Sequence, residues 1–243
     1  MTMIGYSTGA IALGDFSRAI AILSSFDFQA VELSALRLDE VKPLLNAIPH
    51  LDLHKYRYIS FHAPSVFEEG DEKELVDLLS RLPAHWPIVL HPDSIHQIDR
   101  WETLSSRLAI ENMDRRKGTG RSAHELRYFF ERLPNAQMCL DLGHSRQVDS
   151  SMVGTYQLLH EFANRIVQLH ISEVDTFNRH DLISRAAELA FLQVSRFLPS
   201  TAAVILESRV KDFEIQTEAD KVRNILNDAQ PSNKQFTRHA LHA

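Results

Sequence analysis

The chain has 243 residues, 44% of them hydrophobic and 24% charged, the proportions of an ordinary globular protein and not of a disordered or fibrous one. Its net charge of −6 lacks the basic footprint of a general nucleic-acid binder, and no apolar run approaches the roughly 20 residues that a membrane-spanning helix needs. The single cysteine, Cys139, excludes an intrachain disulfide and leaves any metal site to nitrogen and oxygen donors.

Taken in chain order, strands and helices alternate. Strand 1 is expected at about Ile4 to Ser7, followed by a helix from Asp15 to about Phe26. Strand 2 lies near Ala30 to Leu33, with a helix over Leu38 to Ile48. Strand 3 ends at His62, and the next helix, Asp71 to Leu82, carries Leu75, Leu78, Leu79 and Leu82 at helical spacing. Strand 4 ends at His91 and leads into a short helical segment around Ile95 to Leu104. Strand 5 ends at Glu111, and after the polar loop NMDRRKGTGR a helix runs from Ser122 to Arg132, with Ser122 and Glu125 spaced as a capping box. Strand 6 ends at Asp141, with a helix from Met152 to Ala163; strand 7 ends near Ile171, with a helix over about Ile183 to Phe197. Strand 8 ends at Glu207, and a helix from Glu214 to Leu226 follows. No linker or composition break divides the series. The expected organisation is one domain over residues 1–230 and a polar, frayed tail over 231–243. The N-terminus (MTMIGYSTGA) has neither the basic region nor the long apolar stretch of a signal peptide, so a cytoplasmic protein is expected.

Seven of the apolar runs end on a side chain able to bind a metal: Glu32, His62, His91, Glu111, Asp141, His170 and Glu207. A buried parallel strand reads as a continuous apolar run, so each such group sits where its strand leaves the core. Successive ends are 20 to 37 residues apart, room for a strand, a loop and a crossover helix. Parallel strands would bring all of these groups to one rim, where a (β/α)8 barrel of about 250 residues builds its active site.

The chemistry concentrates in strands 5 to 8. Glu111, Asp141, His170 and Glu207 are a ligand set suited to Mn²⁺, Mg²⁺, Co²⁺ or Zn²⁺. Unpaired carboxylates crowded on one rim repel unless a cation sits between them. In D-L-G-H the glycine would let the chain turn so that Asp141 and His144 both face the rim. Asn178, Arg179 and His180 fall in an aperiodic polar loop of the kind that binds substrate.

Other residues carry blander readings. Taken singly, His62 or His91 reads as a hydrogen-bonded structural histidine. Glu32 reads either as part of the ligand shell or as a structural partner of an arginine such as Arg37. His54, His85, His96, His124 and His160 read as solvated surface. The basic run Arg115, Arg116 and Lys117 reads as a solvated loop, with attraction of a substrate phosphate as the alternative. Cys139, between Met138 and Leu140, reads as a core thiol.

The motifs SFHAP, VLHPD, AIENMD, CLDLGH, QLHISEVD, NRHDLIS and VILES resemble, in order along nearly the whole chain, those of the xylose-isomerase-like, AP-endonuclease-type (AP endonuclease family 2) barrel superfamily. The resemblance implies an α/β fold, a single (β/α)8 TIM barrel, and two functional branches. In the isomerase and epimerase branch, Glu, Asp, His and Glu matching Glu111, Asp141, His170 and Glu207 hold one divalent metal. Glu111 and Glu207 would also be the catalytic acid and base for proton transfer on a small sugar-like hydroxy-carbonyl substrate. His62, His91, His144, Asn178, Arg179 and His180 would then contact the substrate. In the endonuclease IV branch nine ligands hold three zinc ions. The matching positions here are His62, His91, Glu111, Asp141, His144, His170, His180 and Glu207, while Asn178 stands where that branch has an aspartate.

The sequence-based expectation is the isomerase or epimerase, with a multinuclear zinc phosphodiesterase as the alternative and a non-catalytic metal-binding barrel subunit as a third reading. The Asn178 departure, the short loop from His170 to His180 and the lack of a basic, aromatic wedge weigh against duplex DNA as substrate. A homo-oligomer is compatible with such barrels.

Overall fold

The computed structural model describes residues 2–227. Ten strands occur among them in chain order: β1 (Ile4–Ser7), β2 (Ala30–Ser34), β3 (Tyr58–His62), β4 (Ile88–Leu90), β5 (Leu108–Glu111), β6 (Gln137–Asp141), β7 (Ile166–Ile171), β8 (Glu173–Val174), β9 (His180–Asp181) and β10 (Ala203–Leu206). β1 to β7 and β10 pair in parallel as a closed barrel, β10 lying between β7 and β1. β8 and β9 form a small antiparallel ribbon beyond the end of β7. The expected single (β/α)8 barrel is thus the observed architecture over the described residues. The tail expected at 231–243 lies outside them.

The helices are α1 (Thr8–Ala12), α2 (Phe16–Leu23), α3 (Leu38–Ala47), α4 (Glu72–Leu79), α5 (Ala123–Arg132), α6 (Leu142–Val148), α7 (Val153–Phe162), α8 (Arg185–Ser195) and α9 (Ile215–Asn227). Asp15 caps α2 by accepting from the Arg18 amide at 3.0 Å, and Ser184 caps α8 by accepting from Ala187.

Strand periodicity decides what faces the site. Successive side chains point to opposite faces, so in β5 Leu108 and Ile110 join the apolar layer under the helices while Ala109 and Glu111 turn into the barrel. Val89, Ala109 and Cys139 form their own small buried cluster. Those small inward residues leave room for a polar layer, Tyr58, Ser60 and Gln168, beneath the strand ends. Burial and the surrounding carboxylates keep the Cys139 thiol protonated, as a core thiol should be. Close strand approach explains Gly5: a Cβ there would lie 1.8 Å from the Ala30 carbonyl oxygen of the paired strand.

Several local expectations are corrected. The segment after β4 is 3₁₀ helix at Pro92–Ser94 and Ile98–Arg107, not an α-helix over Ile95 to Leu104. Strands 4 and 8 stop at Leu90 and Leu206, one residue short of His91 and Glu207. Ser122 caps α5 by accepting from the Glu125 amide, but Glu125 reaches back to the Arg121 amide at 2.7 Å, so the reciprocal half of the capping box is absent. α1, α6 and the β8–β9 ribbon were not foreseen.

Candidate metal centre

Glu111, at the end of β5, lies at the middle of the site. Its Oε1 is 3.1 Å from His170 Nδ1 and 3.4 Å from His144 Nδ1; its Oε2 is 3.3 Å from His62 Nε2 and 3.2 Å from His91 Nε2. The four imidazoles come from β3, the end of β4, α6 and β7. His170 Nδ1 is also 3.3 Å from Glu207 Oε2, which lies 3.4 Å from His180 Nδ1. Ligand atoms of Glu111, Asp141, His170 and Glu207 all lie within 4.8 Å of one another, as do those of His62, Glu111 and His170. The structure therefore brings together the four residues expected to hold one metal, Glu111, Asp141, His170 and Glu207, and the four expected as further ligands only in the multinuclear alternative, His62, His91, His144 and His180.

Each is held by local structure. Asp141 ends β6 and caps α6, accepting the His144 amide on Oδ1 at 2.6 Å and leaving Oδ2 for the cluster. His62 Nδ1 is tied to the Ala63 carbonyl at 2.7 Å, and His144 Nδ1 lies 2.9 Å from the Asn112 carbonyl. Asn112, which sequence reasoning passed over, clamps β5 to β6: its side chain accepts from the Asp141 amide at 2.8 Å and donates to the Asp141 carbonyl at 2.9 Å. Gly143 works differently from the expected turn. It lies inside α6, and a Cβ there would meet the Ser172 carbonyl oxygen at 2.6 Å, so glycine permits close approach to the segment just after β7, the strand that carries His170.

Whether these donors fit a cation can be tested on their unmet valences. Buried oxygens of Glu32, Glu111, Asp141 and Glu207, and Nδ1 of His91, have no hydrogen-bond partner. Orphaned buried carboxylate oxygens are costly, and a bound divalent ion satisfies them. Metal–ligand bonds of about 2.1 Å at tetrahedral angles put neighbouring donors roughly 3.4 Å apart, the spacing seen around Glu111. The donor set fits divalent ions.

The electrostatics is uneven. Burial works to lower the proton affinity of His62 and His144, but the carboxylates around them win and raise them to about 9 and about 10. Burial, with the His144 charge beside it, drives His180 down to about 3. Burial raises the Glu207 carboxyl to about 8, with Glu111 and Asp141 adding repulsion, whereas the charged imidazoles hold Glu111 well below the usual carboxylate range.

Above the cluster is a cavity of about 250 Å³ lined by His62, His91, Glu111, His144, His180 and Glu207 below and by Asn178, Arg116, Lys117 and Arg209 around its mouth. The basic run taken for a solvated loop thus contributes Arg116 and Lys117 to the cavity wall, and Arg209 was missed. Asn178 adopts a left-handed backbone (φ 61°) and accepts from Gln147 Nε2 at 2.6 Å. Arg179 is turned away, its guanidinium held by Asp175 at 2.7 Å and stacked on Phe177. Glu32 has no contact with Arg37, which pairs with Glu40; it lies instead against His170 and Gln168.

No family model and no curated protein matches the chain. Among solved structures it resembles endonuclease IV from Thermus thermophilus, at 18% identity over 93% of this chain and 99% of that one, with a TM-score of 0.56. A xylose isomerase domain protein from Alicyclobacillus acidocaldarius gives a TM-score of 0.66 at 13% identity, covering 95% and 100% of the two chains. A protein of Anabaena variabilis assigned to the sugar phosphate isomerases/epimerases gives 0.56 at 12% identity, covering 100% and 92%. These likenesses are ones of fold, a single (β/α)8 barrel. Among the described residues no helix is long and apolar enough to cross a membrane.

Proposed function

We propose that the chain is a divalent-metal enzyme that holds more than one ion and hydrolyses a phosphoester of a small molecule. The arrangement around Glu111 carries this reading. Each of its two oxygens faces a different pair of imidazoles, so Glu111 would serve two groups of donors, which suits more than one ion better than a single ion. His62, His91 and Glu111 would hold one ion, and Asp141, His170, Glu207 and Glu111 another, with His144 and His180 beside them. Bound ions would supply charge stabilisation for the attacking and leaving oxygens of a displacement.

The remaining work falls to the chain. Lys117 is paired with Asp93 at 2.9 Å, while Arg116 and Arg209 have no carboxylate partner among the described residues and stand ready to orient a phosphate at the cavity mouth. Burial and the neighbouring His144 charge disfavour a proton on His180, which leaves the neutral ring able to offer a nitrogen lone pair to an ion. The cavity is at the small end for ligand sites, which suits a small molecule better than a nucleic-acid duplex.

The isomerase or epimerase expected from sequence stands as the second reading, favoured by one observation. Glu111 is held ionised and Glu207 is held protonated up to about 8, the split that an acid/base pair needs. Elemental analysis of the protein purified without chelator separates the two. Two or three ions per chain with hydrolysis of bis(p-nitrophenyl) phosphate is the expected result. One ion per chain, no hydrolysis, and exchange of a ketose α-proton with D2O would overturn it for the second reading.

A further inference from the structure

Glu32 is fully buried on β2, below the cluster. Its Oε2 accepts from Gln168 Nε2 at 2.7 Å and from the Ser60 hydroxyl at 3.2 Å, and lies 3.1 Å from His170 Nε2. Gln168 spans the same gap. Its Oε1 accepts from the Tyr58 hydroxyl at 2.9 Å, so its NH2 group faces the carboxylate, with the nitrogen 2.7 Å from His170 Nε2. An NH2 group can donate to a bare Nε2 lone pair but cannot accept a proton from the imidazole, so whenever Nε2 carries the ring proton Glu32 is the acceptor it meets.

The other side of the same ring has the opposite need. Nδ1 of His170 points at Glu111 Oε1 and Glu207 Oε2, among the candidate ligands. A ring nitrogen can bind a cation only through its lone pair, so Nδ1 can be a ligand only when the ring proton is on Nε2. We propose that Glu32 is a positioning residue that holds His170 as the Nε2–H tautomer, with its ring plane fixed and the Nδ1 lone pair turned into the cluster. Ser60 and Gln168 in turn hold Glu32, so the relay crosses β2, β3 and β7 beneath the site. The inference rests on the reading that the cluster binds a divalent ion. Its occupant is the proton between Glu32 and His170 and not a further ion.

Zinc is the probe, titrated into the full chain against a chromophoric chelator, with apo unfolding recorded for every variant. Glu32→Leu is expected to keep the number of zinc ions per chain and to weaken the affinity 10- to 100-fold, the usual cost of losing the partner of a metal-binding histidine. Glu32→Gln, whose amide oxygen can still accept, is expected to lose less than tenfold. In the zinc-loaded wild-type protein, imidazole 15N–1H spectra should show His170 coordinated through Nδ1 with a strongly downfield Nε2 proton. That measurement needs no variant and decides the matter if Glu32→Leu does not fold. Coordination through Nε2 would overturn the proposal, as would affinity within threefold of wild type in a folded Leu variant. Loss of one zinc per chain in that variant would also overturn it, because Glu32 would then be a ligand with His62 and Glu207, whose donor atoms lie within 4.8 Å of it. Wild-type protein that binds no zinc would overturn the metal reading and this inference together, whereas an unaffected Leu variant of a zinc-binding protein overturns the inference alone.

Discussion

Glu111 is the residue on which the most neighbours depend. Four imidazoles approach its two oxygens, and it is 1% exposed, so water cannot substitute for it. Glu111→Gln keeps the shape but replaces one acceptor oxygen by a donor and removes the negative charge that the four imidazoles face. Zinc affinity is expected to fall at least about 100-fold, read by chelator competition; an unchanged affinity would remove Glu111 from the ligand set. Seven of the eight candidate ligands were legible in sequence because each is a polar, metal-competent side chain at or just past the end of an apolar run, or one turn beyond; His180, nine residues past the end of β7, stood out as a ligand only through the resemblance. Other residues were illegible for identifiable reasons. Arg179 was read as a substrate group, but Asp175, four residues earlier, captures it within its own turn. Arg116 and Arg209 reach the cavity only because two separate loops curve over it. Glu32 was recognised as a candidate, yet its partners His170 and Gln168 lie more than a hundred residues away, a distance that no local pattern encodes.

Among the elements, α6 shows how backbone contact positions chemistry. Gly143 brings the helix against the segment after β7, and Asp141 and His144 on either side of it both belong to the cluster. Gly143→Ala must push the helix off the Ser172 carbonyl, since 2.6 Å is far below any real Cβ contact. The variant is expected to weaken zinc binding at least tenfold although no ligand is removed. Removing the Ser122 cap of α5 offers the contrast: Ser122→Ala should cost about 1 kcal/mol, lowering Tm by roughly 2–4 °C, and leave zinc affinity unchanged. Equal effects of the two on affinity would sink the distinction. Barrel strands were read well because burial on both faces writes a continuous apolar run. α6 was missed because LGHSRQV is too short and too polar to show a helical period, and the segment after β4 was misassigned because its apolar spacing does not tell 3₁₀ from α-helix.

For the molecule as a whole, the cluster links stability, protons and ions. His62 and His144 bind protons more tightly folded than unfolded, so their contribution is complete below pH 6.5 and is lost as pH rises through about 9 and about 10. Glu207, raised to about 8, is a growing cost as pH climbs above its unfolded value near 4.5, because the unfolded carboxyl ionises first. All three make the metal-free protein less stable with rising pH. An ion bound there would have to displace those same protons, so its affinity would rise over the same range. Tm measured from pH 6 to 9 should fall for the metal-free protein while the stabilisation by added zinc widens; a pH-independent gap would show that no protons are exchanged. The hub at Glu111 also constrains how such a protein can change over evolutionary time. A substitution among Arg116, Asn178 or Arg209 changes the lining of the cavity mouth and leaves the buried cluster intact. A change at position 111 strands four histidines at once, and no single compensating substitution can restore all of them. The cavity mouth can therefore change one residue at a time, whereas the centre can only be kept whole or abandoned.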